Sequence, residues 1–139
     1  MLPRLDIDRT RAYPPRVTAF TQTFWSGLQN GEFATTRCDA CDKLAFPPKP
    51  ICPHCWSTRL TWTPLSGLGR LYSQTVVHAG PTVFASEIPY RVGIVDLDEG
   101  VRLATRIIAD TEPALDAAVE IVTLAYRDGP LFAARVITP

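Results

Sequence analysis

The sequence predicts a mainly β chain: a short N-terminal helix, a small cysteine-braced ribbon and a five-stranded barrel. Three observations predict it. All four cysteines fall within 18 consecutive residues, as two Cys-x-x-Cys pairs. Five segments of strand-like composition follow one another between Gly69 and Ile137, separated by turn signals. Thirteen prolines are spread along 139 residues, and each removes a backbone donor and breaks a helix interior. With 46% hydrophobic residues the chain can bury one small core and an appendage, but not two full domains.

Residues 1–34 read as an arm and a helix. The arm, 1–15, holds three prolines and charges of both signs and is expected to be irregular. The helix is expected over 16–30. Val17, Phe20, Phe24 and Leu28 recur at three- and four-residue spacings and share one stripe, which Trp25 widens. Asn30-Gly31 supplies the stop, because glycine accepts the left-handed conformation after a helix end. The stripe either packs on the rest of the chain or receives a partner.

Residues 35–64 carry the cysteines, Cys38-Asp-Ala-Cys41 and Cys52-Pro-His-Cys55. Two residues between paired cysteines let one tight turn aim both sulfurs at a common point, and two such turns make a tetrahedral four-thiolate cage. No apolar leader or secretory signal is evident near Met1, so the compartment is expected to be cytoplasmic and reducing, which favours metal over disulfides. One structural zinc on Cys38, Cys41, Cys52 and Cys55 is the expectation; four protein ligands close the shell and leave no catalytic position. His54 then reads as a solvated residue of the second knuckle. Cys52-Pro-His-Cys55 also matches a dithiol redox motif, but that chemistry needs a helix N-terminus in a βαβ unit, and a proline-rich stretch precedes it here.

Residues 65–139 hold the strands: 69–78, then 90–97 and 101–108 around Asp98-Glu99-Gly100, then 119–126 and 131–137 around Asp128-Gly129-Pro130. Five antiparallel strands with a closing hairpin suit a small barrel of the OB type, which avoids exposed edges by curling shut. The loop 79–89, with Val83, Phe84 and Ile88, is either a cap over one barrel end or a docking surface.

Charge argues against a nucleic-acid module, the alternative function for a ribbon joined to an OB barrel. The chain is neutral overall, with 14 Lys and Arg against 14 Asp and Glu. Binding a phosphate backbone needs a net positive face. No nucleophile elbow or Gly-rich phosphate loop is present. Asp96 and Asp98 share a strand face, as do Arg102 and Arg106, but beside a hairpin turn they read as a solvated polar face. No stretch approaches the roughly 18–20 apolar residues that span a bilayer.

Across the chain run Phe24-Trp25-x-Gly27-Leu28, Arg37-Cys38-x-x-Cys41, Phe46-Pro47-Pro48, Cys52-Pro53-x-Cys55 and Ser66-Gly67-x-Gly69-x-Leu71-Tyr72-Ser73. This combination resembles the acyl-CoA-associated proteins in which a rubredoxin-like zinc ribbon is followed by an OB-fold. The resemblance implies a zinc-binding, non-catalytic accessory subunit of a thiolase-superfamily enzyme: a ketothiolase, acyltransferase or aldolase. It implies a hetero-oligomer with a thiolase-like subunit and a role in holding a CoA thioester; from charge and hydropathy, no nucleic-acid or membrane partner is expected. Lys43, Lys49, Arg59 and Arg70, near the ribbon–barrel junction, are the candidate CoA contacts. Phe20, Phe24, Trp25, Leu28, Trp56 and Phe84 are the candidate partner contacts. Ribbons of this family often carry glycine after each cysteine pair. Here Asp42 and Trp56 stand there, and tryptophan adopts positive φ with difficulty, so the second knuckle is expected either to be distorted or to turn Trp56 toward a partner.

Overall fold

The computed structural model describes residues 1–137. In chain order it holds β1 (Arg4–Asp6), α1 (Gln22–Gln29), β2 (Ala34–Cys38), β3 (Leu44–Ala45), β4 (Leu60–Pro64) and β5 (Leu68–Val77). A 3-10 helix over Thr82–Glu87 follows, then β6 (Tyr90–Leu97), β7 (Arg102–Ile108), β8 (Ala118–Tyr126) and β9 (Gly129–Val136). The five barrel strands stand where the alternation placed them. Their limits shift by one or two residues: β9 opens at Gly129, inside the expected turn, and Ile137 follows it, while the last two residues lie outside the described ones.

The barrel closes through β5-β6-β7-β9-β8 and back to β5. Neighbours are antiparallel except β7 and β9, which run parallel through Ile107↔Ala134 and Ile108↔Arg135. β5 shifts register between Leu71 and Ser73. Such a bulge bends its strand and increases twist, which a long strand needs in order to serve both a sheet and its closure. Gly69 sits where a Cβ would run into the backbone carbonyl of Asp96. The bare backbone is what lets β5 and β6 approach at that corner. Inside lie Leu71, Val95, Leu97, Leu103, Ile107, Val119, Ile121 and Ala134, none more than 6% exposed.

The helix starts at Gln22, not at residue 16. Thr18 and Thr21 explain the late start. The Thr18 N–H donates to Thr21 Oγ1 (2.8 Å) and the Thr21 N–H donates to Thr18 Oγ1 (3.1 Å), a local alternative to helical hydrogen bonds. The stop falls where expected. Gly31 takes φ +79°, and the N–H groups of Gly31 and Glu32 donate to the carbonyls of Leu28 (3.0 Å) and Gly27 (2.8 Å). This pair of bonds is a Schellman closure.

α1 faces inward. Phe24 is 5% exposed and Leu28 is fully buried. This corrects both as partner contacts: they are spent on the chain's own core. Phe24 meets Phe33, Phe46 and Phe132 edge-on, with ring centroids 5.8–5.9 Å apart. The four rings come from helix, ribbon and barrel, so one aromatic cluster joins all three parts, each buried side chain worth about 2–3 kcal/mol. Trp25 is partly buried against the same core, and Phe20 leans on Trp62 of β4 at 5.4 Å.

The arm is not irregular throughout. β1 pairs in parallel with β8 through Arg4↔Thr123 to Asp6↔Ala125. Leu5 and Ile7 thereby cover the outer face of the β8–β9 hairpin, over Val122, Leu124 and Ala133. Arg11 pins the arm farther along, its N–H donating to Asp128 Oδ1 (2.9 Å) and its Nη2 to the Asp128 carbonyl (2.9 Å).

Candidate metal centre

β2, β3 and β4 form a three-stranded antiparallel sheet in the order β3-β2-β4. It is too small to bury a core of its own, and the two buried hydroxyls of β2 are committed locally. Thr35 Oγ1 donates to the Ala45 carbonyl, and Thr36 Oγ1 accepts from the Lys49 N–H (3.1 Å). Cys38 ends β2, and the two cysteine turns face each other beyond it.

The turns are built alike. In the first, the Asp42 N–H donates to the Cys38 carbonyl (2.8 Å) and the Cys38 N–H to the Lys43 carbonyl (3.0 Å). In the second, the Trp56 N–H donates to the Cys52 carbonyl (2.9 Å) and the Cys52 N–H to the Ser57 carbonyl (2.9 Å). Asp42 has φ +63° and Trp56 has φ +67°. The second knuckle therefore has the same shape as the first, and Trp56 bears the backbone strain. Its side chain is 80% exposed.

All four sulfurs lie within 4.8 Å of one another, with Cys38–Cys55 at 3.5 Å and Cys41–Cys52 at 3.6 Å. Disulfide sulfurs would be about 2.05 Å apart. A tetrahedral zinc with bonds of about 2.3 Å sets its sulfurs roughly 3.8 Å apart, so the donor set fits that ion. The N–H of Cys41 points at Cys38 Sγ and the N–H of His54 at Cys52 Sγ, both at 3.4 Å. These bonds favour thiolate. The Cys41 N–H in particular holds the Cys38 thiol down at about 6. Burial opposes ionisation at Cys52, yet the N–H groups of Cys55 and His54 lower it. For Cys41 the Lys43 N–H pulls downward, but burial and the neighbouring sulfurs outweigh it and push the thiol up to about 12. Cys55 is also raised: the Ser57 N–H pulls downward but is outweighed by Cys38 and burial. Four sulfurs this close cannot all be thiolates without a cation between them, which is what the donor set implies.

His54 is exposed, and its Nε2 faces the Leu44 carbonyl at 3.4 Å, consistent with a knuckle residue outside the ligand set. Lys43, Lys49 and Arg59 lie exposed on the ribbon. Arg70 lies exposed on β5 and donates to the Asp116 carbonyl (3.2 Å). Asp96 and Arg102 form a two-pronged cross-strand pair (2.6 and 2.9 Å), with the guanidinium 3.8 Å from the Tyr72 ring centre. That bond to Arg102 holds the Asp96 carboxyl below its ordinary range.

One feature has no local signature in the sequence. A groove of about 680 Å³ opens among β1, the arm, the 3-10 helix and the ends of β5 to β9. None of the four candidate CoA cations lines it; Arg91, Arg106 and Glu87 do. Phe84 forms part of its wall and packs edge-on to Tyr90 at 6.0 Å. Its lining comes from segments distant in sequence, so no local spacing announces it.

Two family models match: "ChsH2, rubredoxin-like zinc ribbon domain" over residues 25–61 and "ChsH2, C-terminal OB-fold domain" over residues 62–124. A "probable enoyl-CoA hydratase alpha subunit" of Thermomonospora curvata is 35% identical over 100 residues, covering 71% of this chain and 31% of that protein. The "benzoylsuccinyl-CoA thiolase subunit BbsA" of Thauera aromatica is 35% identical over 93 residues, covering 66% of this chain and 63% of that one. The chain thus spans about a third of the hydratase subunit and under two thirds of the thiolase subunit. A solved structure described as "Ltp2-ChsH2(DUF35) aldolase" contains a chain 32% identical, with a TM-score of 0.75, covering 88% of this chain and 98% of that one. The chain belongs to the ChsH2-type DUF35 family, in which a rubredoxin-like zinc ribbon is followed by an OB-fold domain.

Proposed function

We propose that this chain is a non-catalytic, zinc-binding subunit of a thiolase-superfamily enzyme acting on acyl-CoA thioesters. The observation that carries the reading is the family membership, with relatives named as a thiolase subunit and as part of an aldolase assembly. The four-cysteine centre supports a structural role for one zinc, because four protein donors leave it no open position. In this reading the ion orders the ribbon, and the ribbon presents the exposed second knuckle to the thiolase-like subunit. Trp56 is the contact residue there, since an exposed aromatic held in a strained conformation gains area only by docking. Phe20, Trp25 and Phe84, half-buried in the chain, extend the contact only at their exposed edges. Lys43, Lys49, Arg59 and Arg70 are the cations offered to CoA phosphates.

The test separates binding from chemistry. Thioester turnover is measured for the thiolase-superfamily partner alone, for this chain alone, and for the co-expressed pair. Turnover by the pair with none by this chain supports the reading. Turnover by this chain alone, or a partner indifferent to its presence, contradicts it.

A further inference from the structure

We propose that the groove beside the 3-10 helix is a binding site for an apolar monoanion: a hydrocarbon or aryl body bearing one anionic head. This does not rest on the partner-subunit reading. The volume of about 680 Å³ lies within the usual range of small-molecule sites, roughly 300–1,000 Å³. Leu5, Ile7, Ile108 and Leu131 supply the walls, each with apolar surface that an occupant would remove from water.

The polar groups gather on one side. The Arg106 guanidinium lies 3.7 Å from the Tyr90 ring centre and 5.2 Å from that of Phe84, so it is held in place by stacking. Among the described residues it donates through Nη1 alone, to Glu87 Oε1 at 2.9 Å, which leaves Nε and Nη2 for a ligand. Glu87, whose side chain is 9% exposed, also faces Arg9 at 3.8 Å. Arg91 donates through Nη1 to the neutral amide of Gln74. Gln74 in turn faces Glu112 at 3.5 Å, and Glu112 does not line the groove. Two lining guanidiniums, Arg91 and Arg106, against the one lining carboxylate leave this end positive. A planar guanidinium with two free donors suits a carboxylate, which it can hold bidentately. Apolar walls with one fixed cationic end select an amphiphilic anion over a neutral molecule of the same shape.

The test uses the zinc-loaded chain, with decanoate and decanol as probes below their aggregation limits, read by amide chemical shifts. Decanoate is expected to cause saturable shifts centred on Ile108, Ala109, Leu131 and Phe132, and to bind at least fivefold tighter than decanol. Replacing the pair together, Arg106→Met with Glu87→Leu, leaves no orphaned buried charge and is expected to lower decanoate affinity about tenfold, with decanol unchanged. Should that variant not fold, Ala109→Trp, which fills the groove, is expected to abolish binding of both probes. Shifts centred elsewhere, no saturation, equal affinity for the two probes, or binding unaffected by these changes would each overturn the proposal.

Discussion

Trp56 sits in a conformation that an L-residue adopts at a cost of about 1–2 kcal/mol, and its ring is mostly in water. Replacing it with glycine removes the strain and little packing, although glycine makes the unfolded chain more flexible. Trp56→Gly is expected to stabilise the zinc-loaded chain by about 0.5–1 kcal/mol in urea unfolding, while weakening capture of the partner. A residue that costs stability and carries no contact would show the first effect without the second. Asp128 gives a second residue-level expectation. The Arg11 N–H holds its carboxyl below the ordinary range. A depressed folded pKa means a stabilising contribution that is complete above the usual Asp value of about 3.9 and lost as pH falls through the folded value. The Arg11 amide resonance is expected to move only below about pH 4, and Asp128→Asn is expected to remove that titration.

The ribbon and the barrel differ in what holds them. The ribbon has three short strands and a four-cysteine cage; the barrel has a closed hydrogen-bond network and its own core. Chelation of the zinc is expected to abolish the dispersed amide signals of residues 34–64 while the β6–β7 and β8–β9 hairpins keep theirs. Collapse of the barrel spectrum at the same chelator concentration would show that the parts are not separable in this way. In the barrel, Gly69→Ala is expected to cost roughly 2–3 kcal/mol, seen as a fall in the denaturation midpoint, because the added methyl meets the Asp96 backbone rather than a movable side chain. The strands were legible because each alternates apolar and polar residues between turn signals such as Asp98-Glu99-Gly100. The cage was legible because two Cys-x-x-Cys turns leave few other uses. The start of α1 was not, since Thr18 and Thr21 bond each other in a way the apolar stripe does not report. β1 was hidden because its three residues gain their order from β8, more than a hundred positions away. Leu5 and Ile7, two apart, were its only signal. The direction of the Phe24–Leu28 stripe was also undecided in sequence, and the partner ring, Phe132, lies at the far end of the chain.

At the scale of the molecule, an aromatic cluster of helix, ribbon and barrel makes one body, which leaves the strained knuckle and the groove as separate features. No helix among the described residues is long and apolar enough to cross a membrane. In the proposed reading, a zinc-loaded chain of this kind works by joining a thiolase-superfamily protein. Native mass spectrometry of the tagged chain, co-expressed in turn with the thiolase-superfamily proteins of its own genome, tests it most directly. The expected result is a stoichiometric complex with one of them, with one zinc per copy of this chain, lost when Cys38→Ser and Cys52→Ser are introduced together. Free, metal-less chain beside every candidate, or a complex that survives loss of the zinc ligands intact, would contradict it.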